Sequence, residues 1–174
     1  VFISLFGKTR TSRNSLVYML AIPSAKFLNS KHLRLNPERL STYKQIIKDQ
    51  ERFICQTAKK MEKDVERLTG LKMTRIIVPV PVYLPDTWEG NPWIKHIISP
   101  TNGFVENVDG EVTYYLPKYN KDDDSSVFLD VKYKKAHNRT VKILKRNKVK
   151  VVEIGHDYGP RSGLHCIAKV LNRE

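Results

Sequence analysis

Cysteine is scarce in this chain of 174 residues: Cys55 and Cys166 are the two present, far apart and outside any CxxC spacing. That pattern indicates neither a structural zinc site nor a disulfide framework, and a single bridge is the most that oxidation could form. Long apolar runs are missing as well, with no stretch of about 18 apolar residues to cross a bilayer. Internal repeats and low-complexity tracts are not visible. No methionine opens the chain. It starts at Val1-Phe2-Ile3-Ser4-Leu5-Phe6, already strand-like, as expected of a segment cut from a longer polypeptide with something upstream.

Acid is the other deficit. Asp and Glu number 18 against 31 Lys and Arg, a formal net charge of +13 and a pI near 9.8. Such a field concentrates polyanions, whether nucleic acid, acidic lipid or glycan. Along the expected long helix the cations Lys44, Lys48, Lys59, Lys60, Lys63 and Arg67 alternate with Asp49, Glu51, Glu62, Asp64 and Glu66, the pattern of a solvated mixed face. The stretch from Lys132 to Lys150 is denser and carries less acid. It is either an anion-binding surface or the side that meets an acidic partner segment.

With 40% apolar residues the chain can bury one sizeable core, so residues 1–174 read as a single globular domain. The apolar run Ser15–Ile22, stopped by Pro23-Ser24, predicts a buried central strand. Asn36-Pro37-Glu38 supplies a cap and a first-turn proline. Leu40, Tyr43, Ile46, Ile47, Phe53 and Ile54 then recur at helical spacing, giving a helix, in one piece or two, that Thr69-Gly70 ends. Arg75–Val80 is a second strand, which Pro79, Pro81 and Pro85 either confine to an edge or terminate. Trp88 and Trp93 sit in and beside the next loop, as pocket lining or as a lid over a core.

Residues 103–108 and 112–117 flank Asp109-Gly110, a hairpin signal. Asp122-Asp123-Asp124 reads as a solvated acidic loop, since the glycine and distal glutamate of an EF-hand are missing. Residues 127–147 predict a helix broken around His137-Asn138, and 149–154 a further strand. Asn138-Arg139-Thr140 is a glycosylation sequon and keeps a secretory route open. Strands alternating with helices give an α/β class with a mixed sheet.

Near the end, Tyr158-Gly159-Pro160-Arg161-Ser162-Gly163-Leu164-His165-Cys166 puts a cysteine behind a Gly-rich turn, at the start of an expected strand over 164–171. A thiol attacks as thiolate, and basic neighbours such as Arg161 and His165 lower its pKa, so Cys166 is the candidate nucleophile. The competing reading is a small buried core residue. His156 and Asp157 are either an acid–base pair for that thiol or a polar turn after the strand.

The segments Phe2–Phe6, Tyr18–Ser24, Glu66–Leu71, Ser99–Val105 and Ser162-Gly163-Leu164-His165-Cys166 together resemble the guanidine-modifying pentein superfamily. Within it, the C-terminal catalytic domain of protein-arginine deiminases is most similar, with agmatine deiminases as relatives. The resemblance implies a pentein-like fold, a partial α/β propeller with mixed sheets, of which residues 1–174 would form the C-terminal portion of a larger domain. It implies hydrolysis of peptidyl arginine to citrulline and ammonia, with Cys166 at the nucleophile position.

The family's histidine and carboxylates stand in a Gly-His-Val-Asp-like motif just before the strand that resembles Phe2–Phe6. They would therefore come from an upstream segment or partner chain, and this chain alone would be inactive. Calcium is implied by the resemblance only, with no ligand residue here, and so is a cytoplasmic location. An arginine that family members place before the cysteine segment falls at Pro160, with Arg161 one position away. Two other functions remain open: a non-catalytic binding or structural protein with a basic surface for anionic partners, and an agmatine-type small-molecule deiminase.

Overall fold

The run Leu16–Ile22 is apolar at every position because the strand that contains it is covered on both faces. In a computed structural model of the chain, which describes residues 3–33, 36–83, 96–97, 100–117 and 132–154, this strand is β2 (Ser12–Pro23). It pairs antiparallel with β1 (Ile3–Thr9) and parallel with β3 (Lys72–Val80), in the order β1-β2-β3. Its alternate side chains Tyr18 and Leu20 pack on Ile54 and Ala58. Val17, Met19 and Ala21 point the other way, into the main core with Ile76, Val78 and Val80 of β3.

The connection between the two parallel strands is α2 (Pro37–Thr69), which follows the short α1 (Ser30–Leu33). Asn36 caps it, Oδ1 accepting from the Arg39 N–H at 3.0 Å, with Pro37 beginning the helix. Gly70 ends it at φ +69, a left-handed conformation open to glycine without strain. The helix is continuous, not in two pieces. Tyr43, Ile46, Ile47 and Ile54 are buried as their spacing predicts, but Phe53 is 59% exposed and does not belong to the core face. The first half of α2 builds a satellite cluster, Tyr43, Ile46 and Ile47 with Leu28, Leu33 and Val82. The short strands β4 (Val82–Tyr83) and β5 (His96–Ile97) pair beyond it.

A second sheet follows the same plan. β6 (Phe104–Val108) and β7 (Glu111–Pro117) form an antiparallel hairpin, and α3 (Tyr133–Arg146) lies between β7 and its parallel partner β8 (Lys150–Ile154) in the chain. Asp109 and Gly110 turn the hairpin at φ +50 and +83, the doubly positive pattern that the Asp-Gly pair predicts. α3 runs unbroken through His137-Asn138, where a break was expected, because His137 faces inward and is held by Glu153 rather than exposed at a bend. Instead of one mixed sheet the described residues form two, each of three strands in the sense antiparallel then parallel, beside the two-stranded β4–β5 pair. The topology therefore repeats where no sequence repeat is visible.

The two strand-strand-helix-strand units share the main core, in which Val112, Tyr114 and Leu116 of β7 and Leu144 of α3 meet the inner face of the first sheet. Hydrogen bonds join them too. At the bulge in β1, Gly7 takes φ +82, and the Asn107 amide donates to the carbonyls of Phe6 (2.7 Å) and Lys8 (2.8 Å). The Arg10 N–H donates to the Gly110 carbonyl at 3.1 Å. Among the described residues no helix is long and apolar enough to cross a membrane.

Candidate functional site

Two of the segments singled out in the sequence are brought together by one tyrosine. Tyr114, fully buried on β7, donates its hydroxyl to the Pro100 carbonyl (2.5 Å) and accepts from the Gly103 N–H (2.9 Å). Ser4 of β1 lies 3.4 Å from the same hydroxyl and donates to the Thr101 carbonyl at 2.9 Å. The 3₁₀ turn Pro100–Asn102 is thus tied to β1 and β7 before the chain enters β6. Burial pushes the Tyr114 phenol up to about 12, while the bonds to Ser4 and Gly103 pull the other way, so it stays a protonated donor. The Glu66–Leu71 segment lies away from this cluster, at the end of the first sheet where β3 begins.

Each unit also carries a polar pair between its crossover helix and its last strand. In the first, the Glu62 carboxylate on α2 takes both an Nε–H and an Nη2–H bond from Arg75 on β3, and the Tyr18 hydroxyl donates to it at 2.6 Å. The Arg75 bonds hold the Glu62 carboxyl below its ordinary value, and the same contacts raise Arg75. Burial first, then the neighbouring carboxylate, raises Tyr18. In the second unit, His137 Nε2 sits 2.5 Å from Glu153 on β8. Arg75 and Glu153 occupy matching positions: Lys72 pairs with Ser15 and Lys150 with Thr113, and each partner residue comes three places later. The sign on the strand is reversed between them. Sequence reasoning missed His137. The available signal was its place beside Ala136, Thr140 and Leu144, all buried, on one side of the helix.

A cavity of about 550 Å³ opens between the units, where the β1–β2 and β6–β7 turns meet the starts of β3 and β8. Val17, Ile76, Val112 and Val149 line its floor, while Arg10, Lys148 and Lys150 stand at its walls with the hydroxyls of Thr9, Thr11, Ser12, Thr74 and Thr113. Its one carboxylate, Glu111, is bonded to Arg10 at 2.5 Å. Apolar floor and cationic wall suit an anionic group, but none of the described lining residues is a nucleophile paired with a base.

Cys166, the candidate nucleophile, lies outside the described residues, as do Trp88, Trp93, Asp122-Asp123-Asp124, His156, Asp157, Arg161 and the expected strand over 164–171. Cys55 is a free thiol, half-buried on α2. Asn138 of the sequon is exposed on α3, whereas its Thr140 is buried. Among the described residues no group of three or more His, Cys, Asp or Glu could hold a metal ion. Comparison of the chain with protein-family models, with curated proteins and with solved structures finds no match.

Proposed function

We propose that this chain is the C-terminal part of a pentein-like, protein-arginine-deiminase-like catalytic domain. In this reading Cys166 is the nucleophile, and the histidine and carboxylates come from an upstream segment or partner chain. The observation that carries it is the repeated strand-strand-helix-strand unit, each with one antiparallel and one parallel pairing, followed in the chain by Gly163-Leu164-His165-Cys166. A propeller is built by repeating one sheet-bearing unit about an axis, and two units of one topology are what a part of such an array would contain. The bonds that join Ser4, Tyr114 and the Pro100–Gly103 turn add support, because they lock together two segments on which the resemblance rests.

The chemistry follows from a thiolate. Sulfur attacks the guanidinium carbon of a peptidyl arginine, the upstream histidine gives a proton to one nitrogen, its C–N bond breaks and ammonia leaves, with the carbon held on sulfur as a thiouronium cation. Water then adds to that carbon, giving one proton back to the histidine and the other to solvent, the C–S bond breaks, and the ureido product forms as the thiolate is regenerated. Carboxylates from the upstream part would orient the cationic substrate, which this basic chain repels at long range.

The test begins with the native assembly and its intact masses, which would reveal a longer precursor or a companion chain bearing a Gly-His-x-Asp motif. In that assembly Cys166 should alkylate with iodoacetamide faster than Cys55, peptidyl arginine should yield citrulline, and Cys166→Ser should abolish the yield. Equal slow alkylation of the two thiols and no citrulline would refute the proposal. Preferential turnover of agmatine over an arginine peptide would move the substrate to the small-molecule class.

A further inference from the structure

Residues 132–150 contain nine Lys and Arg and no Asp or Glu, and all nine of those basic residues are exposed. α3 turns its apolar side inward, with Ala136 and Leu144 buried, so its charged side chains are left to solvent. Lys135, Arg139, Lys142 and Arg146 are all exposed and follow one another at intervals of four, three and four residues, a single stripe along the helix. At about 1.5 Å per residue the stripe is roughly 16 Å long. Lys148 and Lys150, exposed just past the helix end, extend it toward the cavity between the units. Glu153 borders the shallow groove under Lys142 and Arg146 and is engaged by His137.

We infer that this face of α3 binds the phosphate backbone of a nucleic-acid duplex, without reading its sequence. Charge density selects the partner. A duplex carries one negative charge per ~1.7 Å of axis with both strands counted, roughly ten over the length of the stripe, whereas an extended acidic peptide offers at most one per ~3.3 Å. A membrane surface fits less well. A helix that lies in the headgroup region inserts apolar side chains, and those of α3 are spent on the core. Phosphate contacts from one helix side position a protein on a duplex without carrying sequence information.

Fluorescence anisotropy with a labelled 20-base-pair DNA duplex tests the inference across a sodium chloride series. Four phosphate contacts give a slope of log K against log salt of about −3.6. The parent should therefore lose affinity by on the order of a hundredfold between 50 and 200 mM salt, and a variant carrying Lys135→Gln, Arg139→Gln, Lys142→Gln and Arg146→Gln should bind more weakly at 50 mM and lose most of that salt dependence. The comparison variant, Lys44→Gln, Lys48→Gln, Lys60→Gln and Lys63→Gln on α2, removes the same charge from another exposed helix and should leave the slope unchanged. Circular dichroism establishes that both variants are folded. Equal losses in the two variants would reduce the effect to net charge and overturn the assignment. So would tighter binding to phosphatidylserine vesicles or to polyglutamate than to the duplex, or no duplex binding at 50 mM salt.

Discussion

Replacing Tyr114 by Phe removes one oxygen and leaves the ring. Its cost can be worked from the bonds that oxygen makes. The ring still fills the same space, 5.5 Å from Phe6, so no cavity term arises. The hydroxyl proton goes to the Pro100 carbonyl, and the Ser4 proton goes to the Thr101 carbonyl, so the 3.4 Å contact between the two hydroxyls contributes little. Two groups therefore lose their partner: the Gly103 N–H and the Pro100 carbonyl. At about 1–3 kcal/mol for each buried group left unsatisfied, the variant should be about 3 kcal/mol less stable. Urea denaturation should show a lowered midpoint at unchanged m, and a thermal midpoint roughly 9 °C lower. Tyr115→Phe is the control, since its hydroxyl bonds Glu106 on the open face of the second sheet, and it should not move the midpoint. A Tyr114→Phe protein within about 0.5 kcal/mol of the parent would refute the claim that this hydroxyl holds the Pro100–Gly103 turn.

Glu62→Gln should cost about 1–2 kcal/mol at neutral pH, less than a fully buried charged pair because both partners retain some solvent contact. Because Arg75 holds the Glu62 carboxyl below its ordinary 4.5, the pair's stabilisation is present above that value and is lost as pH falls through the depressed one. Urea midpoints across an acid series should therefore fall less steeply in Glu62→Gln than in the parent. Gly103→Ala would bring a Cβ to 2.5 Å from the Tyr114 ring and from the Tyr115 carbonyl, and should destabilise by about 3 kcal/mol. Gly70→Ala meets nothing within 4 Å and carries only left-handed strain, about 1 kcal/mol, so the two thermal midpoints should separate clearly.

What the sequence disclosed were features decided within a few residues. Asn36-Pro37 and Gly70 bound α2 because capping is local chemistry, and Asp109-Gly110 marks its hairpin because the turn demands two positive φ angles. The apolar run of β2 announced a strand buried on both faces. Partners across long separations were not written in any local pattern. The parallel pairing of β2 with β3 spans a 33-residue helix, while β7 and β8 are bridged by a 14-residue one, so the two units share order and sense without a sequence period. Phe53 kept near-helical spacing yet faces solvent, since periodicity alone does not tell which side a neighbour covers. His137 was read as a break because its partner, Glu153, lies on another element. For the candidate site, the sequence supplied Cys166 and its neighbours, while the Ser4–Tyr114 cluster and the interunit cavity emerged only from the packing.

The Asn107 amide, clasped between two carbonyls on either side of the Gly7 bulge, bears on how the molecule comes apart. Its own hairpin belongs to one unit and both its acceptors to the other. Since the units also share a core, neither can open while its neighbour stays native without exposing apolar surface and stranding polar groups. The two units are thus one cooperative block. A proteolytic nick between them would yield two fragments that remain associated, and denaturation of the described region would run as one transition, its halves lost together.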